Sequence, residues 1–261
     1  MGRVHLFELH DQSWFPKPIR DADTDLLRFI SEFGNPYGPI IPRLKDALIK
    51  TKSQGILDLC SGGGGPIISL REKLGAEGCA VMITLTDKFP NRTAFEYARK
   101  RSDGGVDFLV DSVDATAVPS NLSGFRTLFS SLHHFQPQMA RSILQDAVDQ
   151  RCPIGAFEIA ERSFRGLMSP LILPLLPLLV MPFIRPFRWS RLFWTYLIPV
   201  VPPFIMWDAF VSCLRTYSTR ELQTLVNGLG SNDYVWEIGR EGGITTITYL
   251  IGYPNPMLGR R

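Results

Sequence analysis

Cysteine and histidine are both scarce in this 261-residue chain, at four each. Cys60, Cys79, Cys152 and Cys213 lie far apart and show neither a CxxC pair nor a Cys/His metal spacing. That excludes a disulfide framework and reads as free thiols in a reducing cytoplasm. Long runs of like charge are also missing. The formal net charge is +3 without clustering, so no nucleic-acid partner is expected. No apolar stretch follows Arg3 in the opening Met1-Gly2-Arg3-Val4-His5-Leu6, so no secretory signal is expected. Leu6 stands where a myristoylation motif requires Ser or Thr. What is plentiful excludes disorder: 45% of the residues are hydrophobic and 11% aromatic. The length suits one large α/β domain with an insertion better than two full domains.

Residues 1–50 read as a helical cap. Leu26, Leu27, Phe29, Ile30 and Phe33 recur at helical spacing, with Thr24 or Asp25 available as N-cap. Gly34-Asn35-Pro36 breaks the pattern, and a second helix is expected over 41–49. From Gly55 onward short apolar runs (56–60, 80–86, 106–110, 126–130, 154–159) alternate with helical ones (66–74, 92–101, 137–150). This alternation predicts a parallel sheet with helices on both faces. It stops for about forty-five residues. It resumes at Ser218-Thr219-Arg220-Glu221, a capping-box sequence whose helix should end at Gly228 or Gly230. Two strands, 234–238 and 245–251, joined around Gly242-Gly243, close the pattern. The expectation is a Rossmann-like, seven-stranded, mostly parallel sheet with one antiparallel strand near the C-terminus. The core spans 51–164 and 217–261, interrupted by an apolar, proline-rich insertion over 165–216.

The strongest chemical signal is Asp58-Leu59-Cys60-Ser61-Gly62-Gly63-Gly64-Gly65-Pro66, between the first strand and the next helix. Glycines suit a turn that needs positive φ, and a ligand approaching the backbone leaves no room for a Cβ. Such a loop serves several nucleotide cofactors. Asp87 ends the second strand, where an acid can accept both hydroxyls of a ribose. Asp114, after the third strand, can accept from an adenine amine. Together Asp58, the glycine loop, Asp87 and Asp114-Ala115 resemble the class I methyltransferases that use S-adenosylmethionine (SAM), over roughly residues 50 to 255. The resemblance implies that Asp58, Gly62 and Gly64 hold the methionine end of SAM and that Asp87 holds the ribose. It implies Lys88 and Phe89 beside the adenine, with Asp114 at its amine next to Ala115. Cys60 departs from the family, which has the first loop glycine there.

The acceptor side is less determined, because one fold carries many acceptor chemistries. Candidates lie beyond the fourth and fifth strands, at the carboxyl edge of the sheet. After the fourth comes Ser130-Ser131-Leu132-His133-His134-Phe135 instead of an Asn-Pro-Pro-Tyr motif, which disfavours base or glutamine substrates. His133 and His134 are candidate general bases, with helix capping as the alternative. No third ligand is visible beside them, so no metal is expected. Glu158 falls in an apolar strand and must be paired, either with an acceptor amine or with an arginine such as Arg162 or Arg215. Tyr37, Asp208 and Arg215 are further candidates for the acceptor pocket; Asp208 and Arg215 are spaced to pair or to line its mouth. The aromatic Trp14-Phe15-Pro16 segment either closes over the site or packs in the core.

Residues 167–184 and 192–207 carry no charge, but Pro170, Pro174, Pro177 and Pro182 disrupt a continuous span. Two readings remain. The insertion is a lid over a hydrophobic acceptor, or an interfacial hairpin on the inner face of the membrane. In the second case Arg185, Arg188 and Arg191 lie at headgroups and Trp189, Trp194, Tyr196 and Trp207 form an aromatic belt. Both imply methyl transfer to a small hydrophobic or lipid-like acceptor. A SAM-binding scaffold and a nicotinamide oxidoreductase are the competing functions.

Overall fold

The computed structural model describes residues 2–229, 233–243 and 245–255. Its centre is one sheet built from β1 (Gly55–Asp58), β2 (Met82–Leu85), β3 (Val106–Phe108), β4 (Phe125–Phe129), β5 (Ile154–Glu158), β6 (Tyr234–Gly242) and β7 (Thr246–Pro254). The spatial order is β3-β2-β1-β4-β5-β7-β6. β1 to β5 run parallel, and β7 lies antiparallel to both β5 and β6. This is the Rossmann-like methyltransferase fold expected above. The order reverses beside β1, so the carboxyl ends of β1 and β4 flank the crevice where this architecture takes ligands.

Helices α2 (Ile41–Thr51), α3 (Ile67–Ala76) and α4 (Arg92–Arg101) cover one face; α5 (Pro137–Asp149) and α10 (Thr219–Val226) cover the other. Alternation along β1 explains the division. Ile56 points into the cluster with Leu44, Ile67 and Phe95, while its neighbour Leu57 joins Leu128, Ile143 and Leu222 on the opposite face. Each such side chain stabilises the fold by about 1.5–3 kcal/mol through burial. Local signals agree with the packing. Ser218 and Glu221 form the reciprocal capping box, and Pro137 sits in the first turn of α5. The chain after α10 turns through Gly228 at φ +70°; Gly230 lies outside the described residues.

The N-terminal region departs from expectation. Residues 2–16 are not helical; they form a strap, extended at first and then turning over 9–15. Helix α1 spans Lys17–Gly34, starting well before Thr24 and Asp25, with Pro18 in its first turn. Both supposed caps are therefore buried in mid-helix. The inner side of α1 (Ile19, Ala22, Leu26, with Phe15 just before it) packs on Met181, Ile184, Val201, Phe204 and Ile205 of the insertion. The insertion itself is α6 (Phe164–Met168), α7 (Leu175–Val180), α8 (Trp189–Leu192) and α9 (Val201–Arg215), joined by short tight turns. Among the described residues no single helix is long and apolar enough to cross a membrane. Two pairs pass on length and composition together, but they are bent by 45° and 88°. The three arginines do not form a headgroup cluster. Arg191 is buried, 2.6 Å from Asp25, and Arg188 reaches Asp21 at 2.9 Å; only Arg185 stays exposed.

Candidate functional site

Beyond β1 the chain turns sharply, with φ positive at Cys60, Gly62, Gly64 and Gly65. Asp58 lies beneath this turn, 2% exposed, and accepts hydrogen bonds from the hydroxyls of Ser61 and Thr127, both at 2.6 Å. Burial pushes its carboxyl up to about 7, against those two hydroxyls. Asp58 thus shapes the loop from within. The close approach that requires glycine is partly made by α1. A Cβ on Gly63 would sit 2.3 Å from the carbonyl oxygen of Thr24, and one on Gly62 would meet the Thr24 methyl at 3.3 Å. For these two glycines the neighbour is a helix, where the sequence suggested a ligand. Gly65 faces open space.

Asp87 leaves β2 and turns back to the loop. One carboxylate oxygen accepts from the Gly62 N–H at 2.8 Å and the other from the Phe89 N–H at 2.7 Å. A carboxylate has about four acceptor positions, so two remain for a diol. Lys88 pairs with Asp114 at 2.9 Å. The hydroxyl and amide of Thr116, with Lys88, hold the Asp114 carboxyl down at about 2. Ala115 is buried beside it, and the Phe89 ring lies under the Arg20 guanidinium at 4.7 Å. Cys60 is pushed well above its ordinary range, by burial first and then by surrounding carboxylates.

On the acceptor side, a single turn after β4 carries His133 and His134. Glu158, at the end of β5, receives the Leu132 N–H at 2.8 Å and contacts His133 Nδ1 at 2.7 Å. Its partner is therefore a histidine, not an arginine; Arg162 pairs with Glu221, and Arg215 pairs elsewhere. His133 is 3% exposed, and its Nε2 has no hydrogen-bond partner. The stacked ring of His134 lies between Glu8 (3.1 Å) and Asp11 (2.8 Å) from the strap. Burial opposes its charging, but the two carboxylates raise it well above the usual histidine value. Burial alone would raise Glu8; the charges of His134, His133 and Arg215 hold it at about 2 instead.

Arg215 and Asp208 do not pair with each other. Arg215 bonds Asp11 at 2.6 Å and Glu8 at 3.2 Å, and donates to the Leu6 carbonyl. Asp208 accepts the N–H groups of Leu9 and His10 at 2.9 and 2.8 Å. From α9 the two residues pin the strap over the histidines. Tyr37 is buried, with its hydroxyl 2.8 Å from Ser130 Oγ; burial pushes the phenol up, so it braces the end of β4 and is no base. Phe15 packs in the core against Phe204 at 4.6 Å. The strap's Glu8 and Asp11 were not among the residues singled out from sequence. Glu8 has one signal, a charge inside the apolar run Leu6-Phe7-Glu8-Leu9; Asp11 has none. A cleft of about 490 Å³ between Glu161, Tyr217, Glu221 and Arg240 holds none of the residues expected to bind donor or acceptor.

No protein-family model matches the chain, and no curated protein does. Solved structures do resemble it. An O-methyltransferase family protein from Burkholderia thailandensis aligns with a TM-score of 0.53 at 15% identity, over 90% of this chain and 59% of that one. PigF, solved with SAH, aligns at 0.50 and 18% identity, over 92% and 62%. A structure described as a zinc-dependent alcohol dehydrogenase from Rhodobacter sphaeroides aligns at 0.50 and 16%, over 89% and 98%. This chain thus spans about three fifths of the first two, and at these identities the likeness is one of fold.

Proposed function

We propose that this chain is a SAM-dependent methyltransferase acting on an apolar acceptor. The observation that carries the reading is the convergence at one sheet edge. The glycine turn, Asp87 and the Lys88–Asp114 pair stand beyond β1 to β3, and the buried His133–Glu158 pair stands beyond β4 and β5. These residues fit the donor. Asp87 keeps acceptor positions for a ribose diol, Phe89 offers a flat apolar side, and Asp114 can take an amine hydrogen. When bound, SAM supplies an electrophilic methyl group on a sulfonium. The chain's own part is to hold the acceptor in line and to exclude water beneath the strap. His133, His134 and Glu8 form the polar group beside which an acceptor hydroxyl or amine is activated. Two experiments test this. Titration calorimetry should show SAM bound, with Asp87→Ala weakening it by about 1.5–3 kcal/mol. His133→Ala should lower turnover by about 10²–10⁴ while SAM affinity stays constant. Tight SAM binding without turnover on any apolar acceptor would favour the scaffold reading, and preference for a nicotinamide dinucleotide would favour the oxidoreductase.

The apolar acceptor is supported by the insertion. Its inner residues pack on α1 as a lid would, but Phe164, Leu171, Ile172, Leu175, Leu179, Phe183, Trp189 and Leu197 are exposed. No acidic residue occurs between Arg162 and Asp208. So large an apolar surface marks an interaction site, and we read it as contact with a membrane surface from which the acceptor is taken.

A further inference from the structure

We propose that Glu8, His133 and His134 form a binding site for a divalent first-row transition ion, zinc being the best-suited case. Three observations meet there. First, the ligand atoms of the three side chains lie within 4.8 Å of one another, with His134 Nδ1 3.1 Å and His133 Nε2 3.9 Å from the Glu8 carboxylate. Nitrogen and oxygen donors at about 2.0–2.2 Å around a tetrahedral ion stand roughly 3.3 Å apart. The His134–Glu8 edge is near that spacing, and the His133–Glu8 edge, to the other carboxylate oxygen, is about 0.6 Å longer.

Second, His133 Nε2 is buried and unpartnered, and it faces a carboxylate. At 3.9 Å no hydrogen bond spans the gap. A buried ring nitrogen without a hydrogen-bond partner, facing a carboxylate out of water, is unfavourable unless a positive charge lies between them. Third, the outer partners are those of a metal site. Metal-bound histidines donate their other ring N–H to a carboxylate; here Glu158 takes that place at His133 Nδ1, 2.7 Å away. The Glu8 carboxylate is oriented in turn by Ser212 Oγ at 3.1 Å and Arg215 at 3.2 Å. Asp11 Oδ1 lies 2.8 Å from His134 Nδ1, at the edge of this group of three. With the ion in place of the His134 proton, imidazole nitrogens and a carboxylate oxygen suit zinc and its neighbours better than magnesium or calcium. An ion here would lie beside the expected acceptor position, but its binding does not depend on the methyl-transfer reading.

The test uses the full chain without donor or acceptor. After dialysis against chelator-buffered zinc, elemental analysis should find about one ion per chain, and cobalt(II) should give the intense visible bands of a four-coordinate site. Glu8→Gln and His133→Asn should each weaken binding at least tenfold, and Glu158→Gln about 10- to 100-fold. A chain that retains no ion, with cobalt keeping its aqueous spectrum, overturns the proposal whatever the variants do. So does an ion whose affinity both ligand variants leave unchanged in folded protein. SAM calorimetry on the same samples, with and without zinc, reports separately on the donor site.

Discussion

At the residue scale, Gly63 shows how a glycine-rich loop can be constrained from outside as well as from its ligand. Its φ is not positive; what it lacks is space, because the Thr24 carbonyl would lie 2.3 Å from a Cβ. Gly63→Ala should therefore push α1 off the loop and cost about 1–3 kcal/mol of stability, the scale of overpacking in a filled interior. Denaturant unfolding measures it, and unchanged stability would mean that α1 stands clear of the loop in solution. Asp58 gives a pH-dependent counterpart. Its folded carboxyl keeps a proton up to about pH 7, whereas an unfolded aspartate releases it near 4. The folded state then binds the extra proton in that window, so stability falls as pH rises through it, by at most about 1.4 kcal/mol per unit. Asp58→Asn should flatten this dependence between pH 4 and 7. If wild type and variant show parallel pH profiles, Asp58 titrates as an ordinary aspartate.

At the scale of elements, most of the fold was legible because its signals are local. Apolar runs alternating with amphipathic ones marked all five parallel strands, and Ser218 with Glu221 marked the start of α10. The failures share one cause, which is contact between distant parts of the chain. Thr24 and Asp25 look like caps when read with their neighbours; in the fold Asp25 is mid-helix and bonds Arg191, 166 positions away. Glu158 had to be paired, but its histidine partner is set by the adjacency of β4 and β5. Glu8 and Asp11 reach the histidines because α9 and α1 hold the strap in place from distant parts of the chain. The clamp between α1 and α8 carries its own prediction. Arg191→Ala leaves the buried Asp25 with only the longer contact to Arg188, 3.7 Å away, and should cost about 3 kcal/mol. Lys17→Ala, which removes a mostly exposed partner of Asp21, should cost no more than about 0.5 kcal/mol. Comparable losses for both would contradict this account of the clamp.

At the scale of the molecule, the insertion makes the surface two-sided, with an apolar region over α6 to α8 on an otherwise mixed surface. In flotation assays the protein should rise with liposomes. Leu179→Asp with Phe183→Asp should abolish this without loss of fold, since both side chains are about 70% exposed. Preference for anionic lipid should be modest. Only Arg165 and Arg185 of the insertion's arginines are exposed, each worth about 1 kcal/mol near a charged surface. Protein that stays monodisperse and never floats would return the insertion to the role of a lid.

The strap has a consequence for how the protein is made. Leu6 and Arg215, which bond across the cover of the histidine pair, are 209 positions apart. A ribosome emits the strap early and its anchors on α9 near the end of synthesis. Until α9 emerges, the strap can meet the histidine turn through Arg3 but lacks Asp208 and Arg215, its anchors on that helix. Closing so long a loop is slow, because chain entropy must be lost before any contact compensates. Chemical competence is therefore acquired late, together with α10, β6 and β7, which follow α9 in the chain and complete the sheet beneath the site.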